Sequence, residues 1–208
     1  MSAAGPGLQR SQDVLEFWFG ADPLAELPER LLLWFGRNQE PEALQALHDA
    51  VLANRFRPLV EAAAAGELDI WAASPHRRLA LILLLDQFPR QIYRGRALSF
   101  AQDAKALSLT VDGLAAGADA ALTPVERLFF YLPLEHSESI AMQEESIAAF
   151  RRLLANASTA HRDLFEDCLQ FALKHQRVIQ RFGRFPHRNA ALGRRSTPAE
   201  LAYLRTGE

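Results

Sequence analysis

Apolar residues recur at helical spacing along most of the chain, and no segment shows the apolar–polar alternation of a β-strand. Between Pro41 and Ala65 they follow one helical face, whereas Leu79 to Leu85 is continuously apolar. That run is far shorter than the roughly 20 residues of a membrane span, so it predicts a buried helix. We predict an all-α fold without a sheet, a compact bundle of about eight to nine helices arranged as helical hairpins.

The first two helices are predicted from short apolar stretches that end at a glycine. Ser11 is the expected N-cap of the first helix, and the second runs from Glu29 to Phe35, with Gly36 as its end. Residues 1–10 are small and polar, which predicts a flexible tail before a single all-helical domain at residues 11–208.

Prolines and capping residues mark the ends of the later helices. Ser74-Pro75 predicts the start of a central helix, which Pro89 is expected to end, and Pro58 is expected to kink or split its own helix. Two capping boxes, Thr123 to Glu126 and Thr197 to Glu200, predict further starts. Three more helices follow from the apolar periodicity: Leu98 to Ala116, Ser139 to Leu154 and His161 to Phe182.

Composition and charge exclude several classes of protein. Hydrophobic residues make up 49% and charged residues 23% of the chain, as in ordinary globular proteins. The net charge of -2 gives no field that would attract nucleic acid or a membrane surface, so we expect neither partner. Cys168 is the only cysteine, which excludes an internal disulfide and fits a reducing, cytoplasmic setting. None of these numbers fixes the oligomeric state.

Polar residues interrupt the apolar stripes of three predicted helices. They are Asp86, Glu144 and His175. Burying an unpaired charge costs several kcal/mol, so each of these side chains needs a partner. For Asp86 we expect either a buried ion pair, with Arg181 or Arg184, or a functional role as a base or as the group that orients a histidine.

Opposite charges are concentrated in two segments. Between Lys174 and Arg195 there are seven Lys or Arg residues and no acid, whereas four Glu residues are the only charged residues between Leu132 and Phe150. Either these segments pair with each other across the fold, or the arginines are left to hold an anion. The planar, multi-donor guanidinium group suits a carboxylate or a phosphate.

Four longer motifs follow one another along the chain. They read LEFWFG at residues 15–20, LDQFPRQIYRG at 85–95, LPLEHSE at 132–138 and RFGRFPHRN at 181–189. In this order they resemble the bacterial domain-of-unknown-function nine-two-four family, over nearly the whole chain after the N-terminal tail. The resemblance implies a compact all-helical fold, distantly similar to tetratricopeptide-type helical hairpins. It implies no activity.

The same motifs predict a site for a small anionic metabolite, in a pocket lined by arginine and histidine. If the protein is an enzyme, His136 or His187 is the expected general acid–base group, with Asp86 orienting it or transferring a proton. The turn after Gly183 either belongs to this site or is a latch that docks onto the helices. The candidate ligand-binding residues are Arg90, Arg94, Glu138, Arg181, Arg184, Arg188 and Asn189.

Sequence signatures of common cofactors are lacking. The chain contains no phosphate loop, no dinucleotide fingerprint and no pair of histidines at metal-binding spacing, so we expect neither a cofactor nor a metal. Ser137, next to His136, is expected to cap a helix rather than to join a catalytic triad. The alternative function is a helical-hairpin module that binds a protein or peptide partner, in which the motif residues are structural.

Overall fold

The computed structural model describes residues 6–35 and 41–207. These ranges contain nine α-helices and no β-strand. The all-α prediction is confirmed for these ranges. The helices are α1 (Pro6–Phe19), α2 (Leu27–Trp34), α3 (Glu42–Ala64), α4 (Pro75–Ile92), α5 (Asp103–Ala115), α6 (Pro124–Glu135), α7 (Ile140–Ala155), α8 (Arg162–Phe182) and α9 (Pro198–Thr206).

Helix α4 lies at the centre of the bundle because it is apolar on all sides. Every residue from Leu79 to Leu85 is completely buried, and helices α1, α3, α5 and α6 pack around them. A helix that is hydrophobic all round belongs in an interior. Across the described ranges, no helix combines the length and the apolar character that crossing a membrane requires.

Helix α6 connects this centre to the second half of the bundle. It packs against α4 and α5 on one side and against α7 and α8 on the other. Its buried aromatic residues join the two halves: Phe129 contacts Trp18 of α1 with ring centroids 5.5 Å apart, and Tyr131 lies 6.3 Å from Phe150 of α7. The end of α6 therefore lies where α4 and α8 both reach it.

The two predicted capping boxes are confirmed. The hydroxyl of Thr123 accepts a hydrogen bond from the Glu126 amide, while the Glu126 carboxylate accepts one from the Thr123 amide. Thr197 and Glu200 make the same reciprocal pair at the start of α9. Helix α8 ends at Gly183, whose φ of 69° lies in the left-handed region that favours glycine.

The predictions that Pro58 splits its helix and that Pro89 ends α4 are wrong, whereas Pro75 begins α4 as predicted. Helix α3 continues through Pro58 and α4 continues through Pro89 to Ile92. An internal proline removes one backbone hydrogen bond, at a cost of about 3 kcal/mol. Buried residues on both sides of each proline, such as Phe56 and Leu59 in α3, offset that cost. The continuation of α4 matters for the site, because it places Arg90 one helical turn after Asp86.

Several predicted helix starts are also corrected. Helix α1 begins at Pro6, so Ser11 is a buried residue inside the helix and not its N-cap. Helix α2 ends at Trp34, while Gly36 and residues 1–5 of the predicted tail lie outside the described residues.

Two expectations for the middle of the chain change as well. The helix expected from Leu98 begins only at Asp103, after a short 3₁₀ turn. Ser139, not Ser137, is the N-cap residue of α7, while the Ser137 hydroxyl accepts a hydrogen bond from the Ser139 amide.

Replacing Gly113 in α5 by Ala is expected to destabilise the protein, although Ala is normally the better helix former. An added Cβ would lie 2.6 Å from the tip of the fully buried Phe130 ring and 2.9 Å from Arg78 Cδ. Overpacking of this kind costs about 1–3 kcal/mol. Urea unfolding measures the change, and Ser108→Ala on the exposed side of the same helix is the control. A gain in stability for Gly113→Ala would contradict the packing described here.

Candidate functional site

A cavity of about 640 Å³ opens between helices α2, α4, α6 and α8. Most of its wall is apolar, with Leu27 and Leu31 of α2 among the residues that form it. Exposed residues mark its mouth: Phe35, Asp163, Asp167 and Phe171. Buried and half-buried polar side chains form its interior: Gln87, Arg90, Gln91, Glu135, His136 and His175.

Asp86 and His136 form a buried pair at this interior. Asp86 lies on α4 and is completely buried, and its Oδ1 is 2.7 Å from Nδ1 of His136, the residue that follows α6. Arg90 Nη1 lies 3.2 Å from the same oxygen, and Gln87 donates to Oδ2 at 2.5 Å. The carboxylate therefore has partners for both of its oxygens.

The surroundings fix the charge of each member of this pair. Burial by itself would raise the pKa of Asp86, but Arg90, His136 and Gln87 outweigh it and hold that pKa well below its usual range. Burial and the charge of Arg90 lower the pKa of His136, so its ring is neutral at pH 7. An ionised Asp86 accepts a hydrogen bond, so Nδ1 of His136 carries the proton and Nε2 has the lone pair.

The pair belongs to a closed ring of five residues. Asp103 bridges two arginines: it accepts from Arg90 Nη1 at 2.9 Å and from Arg188 Nη1 at 2.9 Å. Arg188 Nη2 donates to the backbone carbonyl of His136 at 2.9 Å, and Arg90 returns to Asp86. His136 is therefore held at its side chain and at its carbonyl. We call these five residues the charge ring: Asp86, Arg90, Asp103, His136 and Arg188.

The carbonyls at the end of α6 are satisfied by side chains from elsewhere in the fold. Gln143 of α7 donates from Nε2 to the carbonyls of Glu135 and Ser137, at 2.6 and 2.7 Å. Arg188 is stacked between two rings, with its guanidinium carbon 4.9 Å from the Phe100 centroid and 4.6 Å from that of Phe185. The last carbonyls of a helix lack partners within it, so these bonds fix the end of α6 that faces the cavity.

A second carboxyl–histidine pair lines the same cavity. Glu135 Oε1 lies 3.1 Å from Nδ1 of His175 on α8, and that nitrogen is also 2.9 Å from the Phe171 carbonyl. Burial and the charge of Asp86 raise the pKa of Glu135 to about 8. Burial also lowers the pKa of His175 to about 4. At pH 7 both groups are neutral, so Glu135 carries a proton.

Two of the predicted arginines, Arg184 and Arg188, bind carboxylates and do not line the cavity. Arg184 donates to Glu200 through Nε and Nη2, at 2.6 and 2.9 Å. Glu138 binds Arg194 through two hydrogen bonds, at 2.7 and 3.0 Å. Asn189 is buried and accepts from Arg194 Nε at 2.9 Å. The turn after α8 thus makes the contacts of a latch.

Like Arg90 and His136, Arg94 lines the cavity, and it binds Asp49 of α3 at 2.8 Å. Arg181 is exposed, with its guanidinium carbon 5.0 Å from the Phe182 ring. His187 is exposed too, and its ring lies 5.5 Å from that of Phe185. Asp86 and His136 come together as a site requires, while His187 does not line the cavity.

The expectation that Asp86 pairs with Arg181 or Arg184 is wrong. Its arginine is Arg90, one turn along the same helix, because α4 does not stop at Pro89. Arg184 is held by Glu200 instead.

Sequence reasoning also missed residues that line the cavity. The sequence marks His175 as a polar interruption of an apolar stripe and Glu135 as one of four clustered acids, but it predicts no contact between them. Their pairing joins residues that are 40 positions apart on two helices, and no local spacing in the sequence indicates it.

Cys168 also lines the cavity. Burial raises the pKa of its thiol to about 12, so the thiol is protonated at pH 7. Among the described residues, no group of three or more His, Cys, Asp or Glu side chains is arranged to hold a metal ion.

Comparison with known proteins finds a family model and a solved structure that are similar to this chain. A family model described as "Bacterial protein of unknown function (DUF924)" matches residues 14–208. A solved structure of a protein of unknown function, ATU0120 from Agrobacterium tumefaciens, is similar with 36% sequence identity and a TM-score of 0.76. That similarity covers 94% of this chain and 97% of the other. Comparison with curated proteins gives no match.

Replacing Arg188 by Met is expected to destabilise the protein by about 1–3 kcal/mol, because Asp103 keeps Arg90 but loses its second arginine, and the His136 carbonyl loses its donor. Arg181→Met is the matched control, since that side chain is exposed, and it should change stability by no more than about 0.5 kcal/mol. Urea unfolding of both variants measures the difference. Equal effects would show that the ring does not hold the fold together.

Replacing Glu135 by Gln is expected to change how stability depends on pH. Between pH 4.5 and about 8 the folded protein keeps the Glu135 proton and the unfolded chain does not. Across that window the stability of the native protein relative to the variant should fall by about 1.4 kcal/mol per pH unit, then level off.

Urea unfolding of both proteins from pH 4.5 to 9 tests this prediction. The lowered pKa of His175 acts in the opposite direction between about pH 4 and 6.5, but it is common to both proteins and cancels in the difference. A difference in stability that stays constant over the whole range would contradict a protonated Glu135.

Proposed function

Since the chain belongs to the DUF924 family, bacterial proteins of unknown function, we propose its function from the cavity itself. We propose that the cavity binds a small, largely apolar and uncharged molecule, on which the Asp86–His136 pair acts as a general base. The observation that carries this proposal is the 2.7 Å contact between Asp86 and His136. The His136 ring lines a mostly apolar cavity of about 640 Å³.

The charges around the cavity favour an uncharged ligand. Arg90 lies between the carboxylates of Asp86 and Asp103, and Arg94 binds Asp49, so neither offers an uncompensated positive charge. The exposed acids at the mouth, Asp163 and Asp167, repel an anion further. An anionic metabolite, the ligand expected from the sequence, therefore suits this cavity less well than a neutral one.

The assignment of the base follows from the tautomer of His136. A carboxylate that accepts from Nδ1 holds the imidazole with Nε2 unprotonated, as the acid does in Ser-His-Asp triads. No other described residue bonds to Nε2 of His136, and the ring lines the cavity. Because the ring is neutral at pH 7, Nε2 is ready to accept a proton from a bound molecule.

The pocket lacks an activated nucleophile among its described lining residues, since Cys168 is its thiol and that thiol is protonated. This favours proton transfer over covalent catalysis.

The helical interaction module suggested by the sequence stays a prediction. The exposed apolar residues Leu44, Leu47 and Val51 of α3 form the candidate surface for a protein or peptide partner.

The binding proposal is tested with two fluorescent probes that differ by one sulfonate group. N-phenyl-1-naphthylamine, which is uncharged, should bind the protein more tightly than 1-anilinonaphthalene-8-sulfonate. In Leu31→Trp, which narrows the cavity, the uncharged probe should bind about tenfold more weakly. Fluorescence titration gives both values of Kd.

Leu32→Trp is the matched control, because Leu32 is the neighbouring residue, is exposed and does not line the cavity. It should leave both values of Kd unchanged. If Leu31→Trp also leaves them unchanged, the probe does not occupy this cavity. Tighter binding of the sulfonate would overturn the proposal of an uncharged ligand.

A further inference from the structure

Glu135 is a buried carboxyl group with one oxygen that no described residue engages. The residue is only 4% exposed, and His175 contacts its Oε1 alone. Because Glu135 lines the cavity, a bound molecule can reach this oxygen and supply the hydrogen-bond partner that it lacks.

The neighbours of Glu135 decide what that ligand atom is. Nδ1–H of the neutral His175 faces both the Phe171 carbonyl and Glu135 Oε1, so the proton of the acid lies on Oε2. The open oxygen is therefore a hydrogen-bond donor. Its natural partner on a neutral molecule is an acceptor oxygen, such as that of a carbonyl group.

Glu135 and His136 are consecutive residues at the end of α6, and both line the cavity. Successive residues on a helix project about 100° apart, so the acid and the base approach a bound molecule from two directions. Gln143 and Arg188 fix the backbone at both positions through the carbonyls of Glu135 and His136. Preorganised groups of this kind are what proton transfer at carbon requires.

We propose that Glu135 is the proton donor that complements His136, and that the substrate class is neutral carbonyl compounds with a hydrogen on the adjacent carbon. This inference rests on the proposed function, because it takes the cavity as the binding site and His136 as the base. It adds the reaction class, enolisation, and the second catalytic residue.

The step balances without an oxidant or a co-reactant. His136 Nε2 takes the proton from the carbon next to the carbonyl, and the electron pair of that C–H bond forms a C=C bond. The π pair of the C=O bond moves to oxygen, which takes the proton from Glu135 Oε2. An enol, an imidazolium and a carboxylate result, and the reverse step returns a proton to carbon.

Exchange of acetophenone methyl hydrogens for deuterium in D₂O tests the inference, because each reverse step delivers deuterium from the exchanged imidazolium. Proton NMR follows the loss of the methyl signal. The native protein should accelerate exchange over buffer, and His136→Gln should abolish the acceleration. Glu135→Gln should lower it at least about tenfold, the worth of one good hydrogen bond in the transition state. Glu144→Gln, at an exposed residue that does not line the cavity, is the control and should change little.

The pH profile distinguishes proton donation from a structural role. Exchange by the native protein should decline above about pH 8, where Glu135 ionises, and Glu135→Gln should lack that decline. The groups that face Glu135 are Asp86 of α4, His136 after α6, and His175 and Cys168 of α8. His136 and His175 titrate below this window and the Cys168 thiol far above it, so the decline is specific to Glu135.

The outcomes separate the two proposals. If the native protein and Glu135→Gln exchange acetophenone equally and with one pH profile, Glu135 is not the donor, while binding and His136 as the base stand. If acetophenone displaces N-phenyl-1-naphthylamine but is not exchanged, the carbonyl reaction is overturned. If neither compound binds, the proposed function fails first.

Discussion

Asp86 is a carboxylate placed where no water reaches it, and the rest of the site is arranged around its charge. An unpaired charge at that depth would cost several kcal/mol, so the fold must bring partners to it. Helix α4 runs through Pro89 to supply Arg90, α6 ends where His136 can reach Oδ1, and the turn after α8 supplies Arg188. The same constraint that secures the charge leaves one imidazole nitrogen facing an apolar cavity.

Much of the fold could be predicted from the sequence because its signals are local. The continuous apolar run from Leu79 to Leu85 identified the buried central helix, and the capping boxes at Thr123 and Thr197 were found as predicted. The two errors at internal prolines have one physical cause. At Pro58 and Pro89 the burial of residues on both sides outweighs the local cost of proline, and burial is a property of the whole fold.

The candidate site was predictable only in part. Interrupted apolar stripes drew attention to Asp86, and a neighbouring motif to His136, but the sequence could not show that Glu135 meets His175 across two helices. Nor could it show which arginines are neutralised. Arg184 and Arg188 are four residues apart in one basic segment, yet one binds Glu200 near the surface and the other closes the charge ring. Protonation follows from these contacts, so it too was beyond local patterns.

The charge ring joins residues that are far apart in sequence: Asp103 and Arg188 are separated by 85 positions, and Asp86 and His136 by 50. A chain emerging from the ribosome can bury the apolar core around α4 well before Arg188 has been made. Until then Asp103 lacks its second arginine and the His136 carbonyl lacks its donor. The charge ring is therefore completed only by the last part of the chain to be made, although most of the residues that pack around α4 come before it.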